Sequence, residues 1–247
     1  MRSALTLMLT VFLLAFTVQS DFLSDQKRYK RVRTAIQEKG EAVKTGLNKK
    51  GLRTDNFHLM LIAYKASDEL ELYVKNKSSE KYQLLKTYEI CSKSGTLGPK
   101  RKQGDRQVPE GFYHIDRFNP ASNFYLSLGI NYPNESDRIK SNASNLGGDI
   151  FIHGACVTIG CLPMTTDKIK EIYLYAVYAK NNGQRKIPVY IFPYRMTESN
   201  NLMYFEKYSD NKSLIGFWKN LKKGFNSFIS DKKALNVEVS KEGEYVF

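Results

Sequence analysis

The chain has 247 residues, enough for one large domain with a substantial buried core, or one domain with extensions. Its formal net charge is +13, from 38 Lys and Arg against 25 Asp and Glu, which suits an anionic partner such as nucleic acid, a phospholipid surface or an acidic wall polymer. Neither paired zinc-finger ligands nor a glycine-aromatic RNA signature is present, so a nucleic-acid module is set aside, and scattered lysines commonly do no more than solvate a surface.

Met1 and Arg2 give a positive start, residues 4–18 are apolar apart from threonines, and Val18 and Ser20 offer small residues before Asp21. This reads as a signal peptide over 1–20. The apolar run is shorter than the about 20 residues of a membrane span, and no second long run follows. The expectation is an exported, periplasmic protein with no membrane span once the signal is removed. Three cysteines are an odd count for such a chain, so at least one thiol is free or pairs with another molecule. That fits a reactive cysteine better than a disulfide framework.

Residues 21–55 read as an N-terminal helical segment with Val32, Ile36, Val43 and Leu47 as sparse apolar points and Gly40 as a candidate break. The main domain, 56–195, opens with three extended runs, 57–64, 69–75 and 82–90, separated by short turn-like segments: an antiparallel meander. His58, at the edge of the first run, reads as structural. A basic, glycine- and proline-rich loop covers 92–111 and lacks the phosphate-loop lysine pattern, so a nucleotide site is rejected. A strand over 112–118 is followed by a long polar excursion, 119–146, which holds a short strand at 125–128; long loops of this kind tend to wall a site.

Ile150, Phe151 and Ile152 form a short apolar strand with His153 at its end. A loop bounded by Gly154 and Gly160 leads to Cys161. The helix at 167–180 places Ile169, Ile172, Tyr173, Ala176 and Val177 on one face, with Thr165 or Thr166 as cap. A strand at 186–194 contains prolines, which predict an edge or strand-end position. The C-terminal helical extension, 196–247, carries Leu214, Phe217, Trp218, Leu221, Phe225 and Phe228 at helical spacing as a docking face, then a terminal strand at 235–239. The fold class is α+β: a β-rich twisted sheet or sandwich, one helix after Cys161, and flanking helices at both ends.

A thiol and an imidazole at the two ends of one tight loop suffice for nucleophilic chemistry, the imidazole taking the thiol proton. Three other readings of these residues stay open at this point. Cys161 can be a buried structural thiol. His153, Cys156 and Cys161 can bind zinc, although the spacing lacks a paired C-x2-C and a fourth ligand. Cys156 and Cys161 can pair as a disulfide in an oxidising compartment.

The run G-D-I-F-I-H-G-A-C-V-T-I-G-C resembles the active-site signature of the L,D-transpeptidase family (the YkuD-type catalytic domain), in which a strand-end histidine precedes Ser/Thr-x-Gly-Cys. Here these are His153 and Thr158-Ile159-Gly160-Cys161. The likeness extends over about 57–193 and includes S-G-T-L-G-P-K, G-D-R-Q-V-P-E-G-F-Y-H-I and S-N-F-Y-L-S-L-G-I-N-Y-P-N. Three departures stand out. The His-to-Cys loop is short, Ile159 replaces the usual histidine, and Leu162, Pro163 and Met164 follow the cysteine. These features resemble a Gram-negative branch that includes hydrolases of the peptidoglycan–lipoprotein bond.

The resemblance implies that Cys161 attacks a carbonyl of a peptidoglycan stem peptide, with His153 as base and the Gly154 carbonyl orienting it. The amides of Gly160 and Cys161 would form an oxyanion hole, and Thr158 would hydrogen-bond within the site. Transfer to an amine or to water stays open, and a wall-linked outer-membrane lipoprotein is a candidate partner. No cofactor or metal is expected. Lys100, Lys102 and Arg106 are candidates to bind stem-peptide carboxylates, and Tyr125 and Tyr132 to line the groove. The rival outside enzymes is an envelope-binding protein docked by its positive charge.

Overall fold

The computed structural model describes residues 21–247; the signal peptide read over 1–20 lies outside them. Helix α1 (Phe22–Lys27) starts where the Asp21 carboxylate accepts the Ser24 amide, and α2 (Lys30–Asn48) follows. The helical segment breaks at Arg28 and Tyr29 rather than at Gly40. Val32, Ala35, Val43 and Leu47 fall on one buried face across Gly40, and packing of that face outweighs the about 1 kcal/mol a mid-helix glycine costs.

Strands β1 (Phe57–Tyr64), β2 (Glu69–Asn76) and β3 (Gln83–Glu89) form the predicted antiparallel meander. After the 92–110 loop come β4 (Gly111–Asn119) and β5 (Ser127–Ile130). β5 starts two residues later than the sequence suggests, because Tyr125 takes φ 74° and belongs to the preceding turn. Within the excursion expected to be irregular lies α3 (Glu135–Lys140). Asn134 and Asp137 cap it reciprocally, each side chain accepting the other's amide. Then follow β6 (Phe151–His153), β7 (Leu162–Pro163) and α4 (Thr166–Asn181), the last capped by Thr165. β8 (Ile187–Phe192), α5 (Glu198–Lys207), α6 (Lys212–Asp231) and the hairpin of β9 (Glu238–Val239) with β10 (Tyr245–Val246) complete the chain.

Eight strands form one sheet in the order β3-β2-β1-β8-β4-β5-β6-β7. β8 is therefore central, and of the edge or strand-end positions its prolines predict, the strand-end one holds. Pro188 lies opposite His114 of β4, but the parallel ladder with β1 begins one residue later, at Val189. The proline occupies the strand's first turn of pairing, and Pro193 falls just past its end.

Both faces of the sheet's middle are covered, which is why β1 reads as a continuous apolar run. Leu59, Leu61 and Ala63 pack with Val189 and Ile191 against α2 and α4. Met60, Ile62 and Tyr64 pack with Tyr190 and Phe192 against Phe217, Trp218, Leu221, Phe225 and Phe228 of α6. Each large side chain so buried contributes about 1.5–3 kcal/mol by area.

A buried polar knot links this second face to the 92–110 loop. The Lys65 ammonium donates to Glu110 Oε1 (2.9 Å), Gly98 O (2.7 Å) and Val108 O (2.9 Å). Glu110 also accepts from Gly98 N at 2.7 Å and from Trp218 Nε1 at 2.8 Å. Burial pulls the Lys65 ammonium below its ordinary pKa, and the Glu110 carboxylate opposes that pull.

Candidate active site

β6 and β7 are parallel neighbours joined only by residues 154–161, where a parallel connection normally needs a dozen residues or more. The reversal is achieved by left-handed backbone at Ala155 (φ 70°) and Cys156 (φ 51°). Gly154 sits where a Cβ would meet Phe124 O at 2.7 Å, so a side chain cannot be accommodated. Gly160 takes φ +134° with Gln107 O 3.1 Å from where its Cβ would be. Both glycines that bound the loop are thus required by backbone geometry.

The ladder pairs Ile152 with Leu162 and His153 with Pro163. Cys161 immediately precedes β7, beside the β6 strand that ends at His153. His153 is buried beneath the Phe124 ring, centroids 4.6 Å apart. Its Nδ1 lies 2.6 Å from Gly154 O. A carbonyl only accepts, so Nδ1 carries the proton and the Nε2 lone pair is free. Cys161, half-buried, is the free cysteine, and its Sγ points to Asp149 O at 3.6 Å rather than to the imidazole.

Burial pulls the His153 pKa down, the Gly154 contact acting the other way. Burial pushes the Cys161 thiol up, and Asp149 adds to this, while the Phe151 backbone and Lys100 pull against it. Both directions favour the uncharged thiol and the uncharged imidazole over an ion pair.

Thr158 hydrogen-bonds within the loop itself. Its Oγ1 accepts from Gly160 N (3.2 Å) and Cys161 N (2.8 Å) and donates to Cys161 O (2.9 Å). The two amides named as oxyanion donors converge on one point, but the Thr158 hydroxyl holds that point here.

Cys156 is joined to Cys91 in a disulfide, with Cα atoms 5.5 Å apart. This corrects the cysteine reading. A Cys156–Cys161 bond and a zinc set of His153, Cys156 and Cys161 are both excluded, because the Cys156 sulfur is already bonded. Sequence spacing hides the pair, which lies 65 residues apart. The fold unites it: Cys91 N donates to Pro163 O and Cys156 N to Met164 O, on either side of β7. The bridge straps the His–Cys loop to the segment after β3. A Cys91→Ser/Cys156→Ser variant is expected to lose about 2–4 kcal/mol of stability and to turn over more slowly with its one thiol intact. Thermal unfolding with and without reductant measures the first effect; an unchanged midpoint would show that the bridge holds nothing.

Cys161 stands where two clefts meet. One, of ≈ 280 Å³, runs between the 92–97 segment and α5, with Leu162, Tyr204 and Tyr208 in its walls. The other, of ≈ 560 Å³, is lined by Lys100, Arg106, residues 147–150 and Ile159. Of the residues proposed to meet substrate, Arg106 is exposed on the second cleft's wall. Lys100 borders the same cleft, but its ammonium is buried against Asp105 at 2.6 Å, and Asp105 also accepts the amides of Arg101, Lys102 and Gln107. Lys100 thus organises the loop. Lys102 is exposed and lines neither cleft.

Tyr125 is not brought to the groove. Its ring lies under the cations of Arg31 and Lys170 on the helical side of the sheet. Tyr132 is buried in the core, its hydroxyl donating to Leu146 O at 3.2 Å. Sequence reasoning missed Phe124 over His153 and the α5 wall. The first carries no signal; Tyr204 and Tyr208 do share a helical face.

The family profile of the L,D-transpeptidase catalytic domain, YkuD, matches residues 60–191. The chain is 42% identical over 185 residues to YafK of Escherichia coli (strain K12), provisionally named an L,D-transpeptidase; the match covers 74% of this chain and 71% of YafK. YafK of Escherichia coli O157:H7 matches to the same extent. Among solved structures, the helical cell shape determining protein Pgp2 of Campylobacter jejuni aligns at 18% identity and TM-score 0.45, covering 76% of this chain and 74% of Pgp2. Bd1075 of Bdellovibrio bacteriovorus aligns at 20% and 0.41, covering 69% and 62%.

Proposed function

Because the chain belongs to the L,D-transpeptidase (YkuD) catalytic-domain family, we propose that it is a cysteine acyltransferase acting on peptidoglycan stem peptides, with Cys161 as nucleophile and His153 as base. The observation that carries this reading is the free Cys161 thiol at the junction of two clefts, immediately before the strand that pairs with β6 and its terminal His153, whose Gly154 contact leaves Nε2 unprotonated. Two clefts suit a reaction with two substrates.

In the proposed cycle a turn about the Cys161 side chain brings Sγ from Asp149 O to His153 Nε2. Sγ bonds to the substrate carbonyl carbon as its proton passes to Nε2. The tetrahedral oxyanion takes the position of Thr158 Oγ1 when that hydroxyl rotates away, and so receives the converging amides of Gly160 and Cys161. The C–N bond then breaks, and the leaving amine takes the proton from Nε2. A second amine attacks the thioester carbonyl, gives its proton to Nε2, and leaves a new amide and a thiol reprotonated by His153. Water in place of that amine gives hydrolysis. Arg106, on the wider cleft, is the loop cation placed to meet a substrate carboxylate. The reaction is assigned to the cell envelope, where the polymer lies. Among the described residues no helix is long and apolar enough to cross a membrane.

Intact-mass spectrometry of acid-quenched protein incubated with a stem tetrapeptide tests the reading. The expected result is a mass gain equal to the acyl group, mapped to Cys161 and discharged by an added amine. If neither an adduct nor a transferred or hydrolysed product forms, the protein is not this enzyme.

A further inference from the structure

The narrower cleft is closed by a helix that lies outside the matched domain, and its charges are unequal in availability. Lys65, Lys93, Lys207 and Asp68 all border it. Lys65 is consumed by Glu110 and Lys93 by Asp68. Lys207, exposed on α5, has no carboxylate partner among the described residues; its ammonium lies 5.9 Å from the Tyr208 ring centroid. α5 is held firmly enough to serve as a wall. Tyr204 stacks on the buried Tyr194 at 4.1 Å, and Tyr208 packs edge-on against Trp218 at 5.1 Å. The buried Asn201 amide donates to Met196 O and Thr197 O at the helix start. The rest of the lining is mixed, with Ser92, Ser94 and Thr96 beside Ile90, Leu97 and Leu162.

We infer that α5 of the C-terminal extension is part of the substrate site, and that Lys207 recognises a carboxylate of the peptide whose carbonyl reaches Cys161 through this cleft. The inference rests on the acyltransferase reading above. A single uncompensated cation beside two tyrosines, in a cleft with a mixed polar and apolar lining, selects a peptide with an anionic group, and ≈ 280 Å³ lies at the lower end of small-ligand sites. Lys207 is a specificity residue, so its loss affects binding more than chemistry.

The test measures kcat and KM of wild type, Lys207→Glu and Lys207→Arg on a stem tetrapeptide and on the same peptide with each free carboxylate amidated in turn. Lys207→Glu is expected to raise KM about tenfold or more on the free acid with little change in kcat, Lys207→Arg to retain most affinity. One amidated peptide should cost wild type a similar factor and make Lys207→Glu indifferent. Equal KM for wild type and Lys207→Glu on the free acid overturns the inference, as does a Lys207→Glu effect that every amidated peptide still shows. The Cys161 adduct at saturating peptide is scored in parallel. Its absence from wild type removes the acyltransferase reading; its presence with an unmoved KM removes only the role of Lys207.

Discussion

Cys161→Ala is expected to lower turnover of stem peptides by about three orders of magnitude or more while leaving the fold intact. The size follows from the division of labour in covalent catalysis: without the sulfur no thioester forms, and what remains is binding and positioning. The fold is expected to persist because the thiol is half-buried and only weakly held, its contact to Asp149 O being 3.6 Å long. Its burial stabilises little, so thermal unfolding should move by no more than about 0.5–1 kcal/mol. Activity is read from cross-linked and shortened products together. A variant retaining a tenth of wild-type turnover would refute the nucleophile assignment, whichever acceptor is used. Burial raises the thiol's pKa and so disfavours a standing thiolate, which in the proposed cycle leaves its activation to His153 at the moment of attack.

The second large effect is on stability rather than on the chemistry. Glu110→Ala should cost about 3–5 kcal/mol, because it leaves the buried Lys65 ammonium without its counter-charge. Gly98 N and Trp218 Nε1 also lose their acceptor. For a chain of this size that is a fall in melting temperature of roughly 6–20 °C. The companion Lys65→Met/Glu110→Leu removes both charges and should recover a large part of the loss, as paired apolar replacements do. A Glu110→Ala loss below about 1 kcal/mol would mean that the knot does not hold the loop between β3 and β4.

What was legible in the sequence was local. β1 shows as an apolar run because both its faces are buried, α4 through a buried stripe and a threonine cap, and His153 and Cys161 through a loop whose glycines the backbone demands. What was hidden is set by contacts between distant residues. Pro188 leaves edge and strand end undecided because its place in the β1 ladder depends on a register that only the assembled sheet defines. Cys91 pairs with Cys156 because each is anchored beside β7. Lys100 looks like a surface cation until Asp105 is seen to gather the loop around it. Tyr125 and Tyr132 look like groove aromatics until the helical layer and the core claim them. The reciprocal cap of Asn134 and Asp137 was readable but sits in a stretch whose polarity reads as loop.

The face of the sheet lined by Met60, Ile62, Tyr64 and Phe192 is covered by α6 and by Tyr245, whose hydroxyl accepts from Asn134 and whose backbone is clasped by Asn220. A polypeptide exists in time as well as in space. During synthesis everything up to β8 emerges first, and that apolar surface stays uncovered until α6 and Tyr245 follow. Among the described residues that surface has no other cover, so the C-terminal helices belong to the same folding unit as the sheet that carries His153 and Cys161.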